Sequence, residues 1–293
     1  MAATLARIEK FRCNIPRHCF GGNYWVSIIT NPVLIPFVKA NACGNDFLIV
    51  EGEFAREEFG RLSKQMCDRH AGVGADGVEW LFPTSEADIQ ARLFNADGSE
   101  AEISGNGTRC VAAYLCSQDK TQNKKIAILT GAGVKSCELV ARSGNQYDFD
   151  ISMGAPLVGV ECAVEVGTKQ VCGVPVSVGN PHFVVFVNEF AEGWQTEAKE
   201  VGQDARFSHG TNVELVRIID SSNVEVRFFE RGVGETQSSG TGSCASAVAA
   251  ISIRRATSPV VVRAPGGSQT VFWNEQVLLR GSAKLICRGE MFF

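Results

Sequence analysis

Short apolar runs separated by polar, glycine-rich turns dominate this chain, and they predict strands more often than helices. The first two runs lie at residues 33–38 and 47–50, with Asn41, Gly44 and Asn45 between them. Apolar runs bounded by turn-forming residues are typical of buried strands. The same pattern predicts further strands at 89–94, 174–178, 183–187, 213–219, 224–229 and 260–293, and two or three antiparallel strands within 125–151.

Helical spacing is found in three places. Residues 57–70 place Phe59, Leu62 and Met66 one helical turn apart. Two further helices are predicted from Cys110 and from Ala245, each directly after a glycine-rich turn. The sequence therefore predicts many strands and few helices.

The two glycine-rich turns belong to an internal repeat. Ser-Gly-Asn-Gly at 104–107 and Ser-Gly-Thr-Gly at 239–242 lie 135 residues apart, and each precedes a small apolar helix with a cysteine and an Ala-Ala pair. A tetrapeptide can recur by chance in a chain with 30 glycines. The shared strand–turn–helix context argues against chance, and a period of this length indicates two similar domains rather than a solenoid.

Gly154 marks the predicted domain boundary, giving an N-terminal domain at 35–154 and a C-terminal domain at 155–293 whose last strands are free to pack on the first. Residues 1–34 are predicted to be an N-terminal extension, disordered rather than a targeting peptide. The apolar run at 25–30 is too short and too late for a secretory signal.

The composition of the chain argues against nucleic acid, a membrane or a metal ion as a binding partner. The net charge of −4 gives no basic field for nucleic acid, and no apolar run is long enough to span a membrane. The eleven cysteines include no Cys-x-x-Cys pair, so we predict reduced thiols, a cytoplasmic location and no bound metal.

A Gly-x-Gly-x-x-Gly match at residues 72–77 is not interpreted as a nucleotide loop. A dinucleotide site needs this motif between a strand and a helix. Here a predicted helix precedes the motif and a strand-like run follows it, so a tight structural turn is expected.

Each Ser-Gly-x-Gly turn opens a helix, where free amide groups and the helix dipole favour anions. Two such ends facing each other across a cleft would bind a carboxylate and stabilise negative charge as an α-proton leaves. Ser104 and Ser239 open these turns, so they are placed to act on the two faces of an α-carbon.

Over residues 36–293 the chain resembles the diaminopimelate epimerase family. The motifs that carry the resemblance occur in order at 44–47, 95–100, 105–110, 179–182, 212, 230–236 and 265–267. The resemblance implies a mixed α/β (α+β) fold of two similar domains with pseudo-two-fold symmetry, each an antiparallel sheet curled around a central helix. It also implies interconversion of LL- and meso-diaminopimelate, for lysine and peptidoglycan precursors, by two-base α-proton transfer without a cofactor, and a homodimer.

The family's residues carry over onto this chain by motif. The two catalytic positions fall on Ser104 and Ser239, where the family has cysteines. The substrate contacts fall on Asn45, Asn95, Asn180, Asn212, Glu230 and Arg231, and the carboxylate-binding amides on Gly105, Asn106, Gly240 and Thr241. Arg231 would pair with the distal carboxylate, a task that suits a planar guanidinium.

Serine at both base positions is the main departure from the family. A thiol has a pKa of about 8.5, whereas a hydroxyl lies far closer to water at about 15.7. A gap of about five units costs roughly 7 kcal/mol, on the order of 10⁵ in rate. Serine therefore needs an adjacent base, and neither turn has a histidine or lysine beside it in the sequence.

Three hypotheses remain open. The chain is an epimerase with weak or base-assisted activity, which includes an engineered double substitution that traps substrate. Alternatively, it is an inactive amino-acid-binding homologue, or another isomerase or dehydratase on the same scaffold. His182 either serves the site or orders a turn, and Cys110 and Cys244 are expected to be buried packing residues.

Overall fold

The computed structural model describes residues 33–54, 58–118 and 124–293, and residues 34–293 form one compact unit. The N-terminal extension predicted at 1–34 lies outside the described residues except for its last two. Within the described residues, no helix is long and apolar enough to span a membrane.

In the first half of the unit, the described residues between 34 and 154 form eight strands and two α-helices. In chain order these are β1 (Leu34–Ala42), β2 (Asn45–Glu51), α1 (Phe59–Cys67), β3 (Gly77–Phe82), β4 (Ile89–Asn95), β5 (Glu100–Ala101), α2 (Gly105–Ser117), β6 (Lys125–Thr130), β7 (Gly133–Ser143) and β8 (Gln146–Gly154), with a short 3-10 turn at Gly52–Phe54. The Gly-x-Gly-x-x-Gly segment does lie between a helix, α1, and a strand, β3, as predicted.

The second half, residues 155–293, contains ten strands and two α-helices. They are β9 (Leu157–Val158), β10 (Cys162–Val166), β11 (Lys169–Ser177), β12 (Pro181–Phe186), α3 (Trp194–Gly202), β13 (Asn212–Asp220), β14 (Asn223–Glu230), β15 (Gly234–Thr236), α4 (Gly240–Ser252), β16 (Val260–Ala264), β17 (Gly267–Trp273) and β18 (Val277–Phe292).

The strand pairing repeats between the halves, which confirms the predicted fold class. β2 pairs in parallel with β3, β3 antiparallel with β4, and β4 in parallel with β6. In the second half β12, β13, β14 and β16 pair in the same order and with the same directions. The sheets are therefore mostly antiparallel, and each half contains two parallel pairs.

A central helix lies inside the sheet of each half. Helix α2 buries Cys110, Val111, Ala112 and Ala113 in one core, and α4 buries the segment from Cys244 to Ala250 in the other. Small side chains let the surrounding strands approach closely. Cys110 and Cys244 are fully buried packing residues, as predicted, and burial raises the pKa of both thiols.

The other two helices lie on the outer faces of the sheets. Helix α1 packs with Leu62 and Met66 against β3 and β4, and α3 packs with Ala198 and Val201 against β10 and β13. Helix α3 and strand β10 were not predicted from the sequence. The buried positions of α3 are separated by charged and polar residues, so its apolar face was not evident.

The last strand connects the halves. β18 pairs with β17 of the second half and with β8 and β1 of the first. The boundary predicted near Gly154 falls at the end of β8 and stays a prediction, because residues 34–293 form one unit.

Candidate active site

The central helices begin in the same way. Ser104 is the N-cap of α2, where its Oγ accepts the Gly107 N–H at 3.1 Å. Ser239 is the N-cap of α4, where its Oγ accepts the Gly242 N–H at 3.2 Å. Serine is a preferred N-cap because its short side chain satisfies an unpaired amide of the first turn.

The cap leaves earlier amides of each helix available. The first backbone bonds run from Thr108 N–H to Ser104 O at 2.8 Å and from Ser243 N–H to Ser239 O at 3.0 Å. The N–H groups of Gly105 and Asn106, and of Gly240 and Thr241, precede these bonds and belong to the positive ends of the helix dipoles. Each helix therefore offers a pair of amides suited to an anion.

The two helix starts meet through side chains. Asn106 Nδ2, in the first turn of α2, donates to Ser238 Oγ at 2.8 Å and to Asn45 Oδ1 at 2.7 Å. Ser238 directly precedes the cap of α4, and Ser238 Oγ also donates to Asn45 Oδ1 at 3.3 Å. Segments 132 residues apart in the chain are thus in direct contact.

A buried arginine holds Asn106 in this orientation. The Arg109 guanidinium is fully buried, and its Nη2 donates to Asn106 Oδ1, so the amide nitrogen must point toward Ser238. The same Nη2 lies 3.6 Å from Cys43 Sγ. A β-carbon at Gly281 of β18 would lie 2.9 Å from the Arg109 guanidinium carbon, so glycine there makes room for this side chain.

Acidic residues orient Asn45 from the other side. Asn45 Nδ2 donates to Asp76 Oδ2 at 3.2 Å. Burial raises the pKa of neighbouring Asp46, but hydrogen bonds and charges from Arg69 and Lys39 outweigh it and bring that pKa to about 2. Asp46 therefore stays ionised and holds Arg69 and Lys39 at the entrance of β2.

The second half supplies a chain of polar contacts at the start of α4. Asn180 Nδ2 donates to Thr241 Oγ1 at 3.4 Å, and Asn180 Oδ1 contacts His182 Nε2 at 3.0 Å. His182 Nδ1 lies 2.7 Å from Glu214 Oε1, and both side chains are buried. His182 thus connects Glu214 to the first turn of α4.

The proton positions follow from these contacts. Because Asn180 donates to Thr241, its Oδ1 accepts, and His182 Nε2 must carry a hydrogen. Burial raises the pKa of Glu214, with His182 acting in the opposite direction. Glu214 Oε2 has no hydrogen-bond partner among the described residues, so the carboxyl group connects to the first turn of α4 through Oε1 and His182.

Asn212 and Arg231 form a second group beside this chain. Asn212 Nδ2 donates to Pro181 O at 2.8 Å, and Asn212 Oδ1 accepts the Arg231 N–H at 2.9 Å. The exposed Arg231 side chain donates from Nη1 to His209 O at 3.0 Å. It borders a cavity of about 610 Å³ that Lys199, His209 and Glu230 also line.

Two predicted contact residues make only local bonds. Asn95 is exposed and donates from Nδ2 to Ser99 Oγ at 3.0 Å. Glu230 Oε1 accepts the Thr236 hydroxyl at 2.6 Å. The structure joins Asn45 to Asn106, and Asn180 to Thr241, but it gives neither Asn95 nor Glu230 a side-chain bond to those pairs.

A buried carboxyl group lies beneath each helix start, and neither was predicted from the sequence. A β-carbon placed on Gly107 would overlap Glu79 Oε1, and one placed on Gly242 would lie 2.9 Å from Glu214 Oε1. Burial raises the pKa of Glu79 to about 8. The available signal was one acidic residue inside a run of four otherwise apolar residues, Val-Glu-Trp-Leu in β3 and Val-Glu-Leu-Val in β13.

Solved structures of low sequence identity share this fold. A phenazine biosynthesis protein of the PhzF family from Bacillus anthracis superposes with a TM-score of 0.68 at 16% identity, covering 89% of this chain and 99% of that one. A hydroxyproline epimerase from Agrobacterium vitis gives a TM-score of 0.61 at 14% identity, covering 89% and 91%.

Sequence comparison is more specific. A family model described as diaminopimelate epimerase matches residues 37–157 and 174–286. A diaminopimelate epimerase from Pelotomaculum thermopropionicum is 37% identical over 273 residues, 87% of this chain and 98% of that protein. The family model and the relatives define the class as an isomerase of the epimerase type. Within that class, the chain belongs to the diaminopimelate epimerase family.

Proposed function

We propose that this protein interconverts LL- and meso-diaminopimelate by moving the α-proton between two faces of one site, without a cofactor. The observation that carries the proposal is the contact of Asn106 with Ser238 and Asn45, which brings the two helix starts together. A two-base reaction needs one acid–base group on each side of the α-carbon, and Ser104 and Ser239 open these two helices.

The helix starts also suit the reacting carboxylate. The amides of Gly105 and Asn106 from α2, and of Gly240 and Thr241 from α4, would donate to its oxygens. As the α-proton leaves, negative charge spreads onto this carboxylate, and fixed donors stabilise that charge without reorganisation. This contribution does not depend on whether serine or cysteine occupies the base positions.

The second half would recognise the distal end of the substrate. Asn180 contacts Thr241 at the start of α4, Asn212 bonds to the carbonyl of the adjacent Pro181, and Arg231 lines a cavity. For Arg231 to pair with a distal carboxylate, its guanidinium must turn from the His209 carbonyl into that cavity. We place Asn95 and Glu230 in the same role, with smaller expected contributions.

Serine makes the chemistry slower than cysteine would. Without help, the weaker acidity of the hydroxyl costs on the order of 10⁵ in rate. We therefore expect slow turnover. The second candidate is a binding protein without turnover, which the cap bonds favour, because the Oγ atoms of Ser104 and Ser239 both accept a backbone N–H.

An epimerisation assay tests the proposal. Purified protein is incubated with LL-diaminopimelate, and the meso product is resolved by chromatography. Arg231→Ala should weaken binding of diaminopimelate by a few kcal/mol in calorimetry, because it leaves a carboxylate unpaired. Product formation supports the epimerase, whereas tight binding without product supports the binding protein. Equal affinity for alanine would contradict both.

Two wider expectations stay predictions. We propose a homodimer, which sedimentation analysis would test, and a cytoplasmic location in lysine and peptidoglycan precursor biosynthesis. The nine described cysteines are free thiols, which supports a reducing compartment.

A further inference from the structure

Glu79 places a carboxyl group among apolar core residues, and packing alone does not explain it. It lies in β3 between Ile49 of β2 and Leu93 of β4, both members of the core around α2. Its side chain is 3% exposed, and it makes no hydrogen bond or ion pair with the described residues. An unpaired buried carboxyl group destabilises a fold, so a hydrophobic residue would serve the core better.

The carboxyl group points at the first turn of α2. The space above the α-carbon of Gly107 is bordered by Glu79 Oε1 and, at 3.3 Å, by Ser104 Cβ. Only glycine fits there, because a β-carbon would overlap the carboxyl oxygen. Gly107 also donates its N–H to Ser104 Oγ. One small volume is therefore shared by the carboxyl group, the turn and the serine.

The hydroxyl hydrogen of Ser104 is available as a hydrogen-bond donor. A serine hydroxyl carries one hydrogen and two lone pairs. One lone pair accepts the Gly107 N–H, so the Oγ acts as an acceptor toward the helix and its own hydrogen remains available. Rotation about the Cβ–Oγ bond, which leaves the cap bond in place, directs that hydrogen toward the volume that Glu79 borders.

Among the described residues, no charged side chain shifts the pKa of Glu79, and the buried Arg109 of α2 is engaged with Asn106 instead. Helix α2 presents the Cys110 thiol, which burial keeps neutral by raising its pKa, while β2 and β4 present Ile49 and Leu93. Burial alone therefore raises the pKa of Glu79 to about 8. Its carboxylate is a stronger base than an exposed one, and no neighbouring cation among the described residues weakens it.

We propose that Glu79 is a positioning residue that accepts the hydroxyl proton of Ser104 while Ser104 Oγ removes the α-proton of the substrate. This inference rests on the proposed epimerase function. In the step, the substrate C–H bond breaks and an O–H bond forms on Ser104. The original Ser104 proton moves to Glu79, and the electron pair of the C–H bond stays on the substrate as the carboxylate-stabilised carbanion. The reverse transfer returns a proton to carbon.

The second half differs at the equivalent place. Glu214 lies beneath Gly242, but it is engaged with His182, which continues to Asn180 and Thr241. Glu79 has no such partner among the described residues. We therefore expect Glu79 to affect only the face of the α-carbon that Ser104 serves.

Deuterium wash-out into ordinary water tests this expectation. Label is placed at the α-carbon of LL-diaminopimelate or at the D-configured carbon of the meso form, and its loss is followed by mass spectrometry from pH 6 to pH 9.5. Glu79→Gln should slow wash-out from one epimer by roughly 100-fold, the usual contribution of a general base. Wash-out from the other epimer should stay within about threefold, given that Glu79 does not serve that face.

The pH profile separates a proton-transfer role from a structural one. In the unaltered protein, wash-out from the affected epimer should rise with pH and level off above about 8, because Glu79 must be ionised to accept a proton. Glu79→Gln should lose that inflection. Glu51→Gln, a carboxyl-to-amide change at the far end of β2, is the matched control and should leave the profile unchanged.

A cysteine background completes the test. In a Ser104→Cys protein, Glu79→Gln should change wash-out by less than about threefold, because a thiol needs no helper base.

If the unaltered protein is active and Glu79→Gln slows neither epimer, or both equally, the role of Glu79 is wrong and the epimerase proposal stands. If only Ser104→Cys/Ser239→Cys is active, Glu79 does not activate Ser104. If neither is active, both proposals fail.

Discussion

The two halves of this protein repeat the same geometry around different proton chemistry. Each has a central helix capped by serine, a glycine at the third helical residue and a buried glutamate beneath that glycine. In the second half the glutamate, Glu214, is bonded to His182. In the first half Glu79 has no polar partner among the described residues. A repeated fold thus fixes where the acid–base groups lie but not how readily each one gives or takes a proton.

Restoring thiols at both helix starts should give the largest effect. Ser104→Cys/Ser239→Cys should raise the rate of α-proton exchange with diaminopimelate by several orders of magnitude, because the amides and substrate contacts are already in place and only acidity is missing. Each single replacement should help much less, because residues that act as a unit are strongly non-additive.

A thiol elsewhere on the same helix is the control for that experiment. Ser117→Cys, at the far end of α2, should leave the rate unchanged. Exchange followed by nuclear magnetic resonance would check these four variants against the unaltered protein. A doubly restored protein no faster than the unaltered one would mean that the site has diverged to another reaction.

The unpaired carboxyl group should make stability depend on pH. Glu79 has a pKa of about 8 in the fold, against an ordinary value of 4.5. Between these values the folded state holds a proton that the unfolded state has lost, so stability should fall as the pH rises from 4.5 to 8. The loss attributable to this residue should reach about 4–5 kcal/mol.

Urea unfolding of Glu79→Gln at pH 5 and pH 9 measures this effect. The variant should lose less stability than the unaltered protein between the two pH values, since an amide does not titrate. If the free energy of unfolding falls equally in the two proteins between pH 5 and pH 9, Glu79 is already ionised in the folded protein at neutral pH. The contrast drawn between Glu79 and Glu214 would then be wrong.

Replacing the serine caps should give the smallest effect, a loss of stability of similar size in the two halves. Ser104→Ala and Ser239→Ala should each destabilise the fold by about 1 kcal/mol, the usual cost of losing an N-cap bond. Because the two cap bonds are alike in length, 3.1 Å and 3.2 Å, the losses should be similar. Thermal unfolding checks this, and a loss several times larger at one serine would show that the two turns are not equivalent.

Local sequence patterns predicted much of this fold. The polar pairs of the site could not be predicted, because they form between residues that are far apart in the chain. The runs around β1, β2, β4 and β12, and the turns before α2 and α4, were evident because neighbouring residues define them. A role for Glu79 in the site was not evident, because it depends on the contact with Gly107, which lies on another element. His182 could not be assigned either, since its partner Glu214 is 32 residues away on a parallel strand.

The two helix starts are proposed to form one site for moving an α-proton. The direct test is incubation of the unaltered protein with LL-diaminopimelate in heavy water, with calorimetry to confirm that the ligand binds. We predict slow incorporation of deuterium at the α-carbon, in recovered LL-diaminopimelate and in newly formed meso product. Binding of diaminopimelate without any incorporation of deuterium, across pH 6 to 9.5, would contradict the claim.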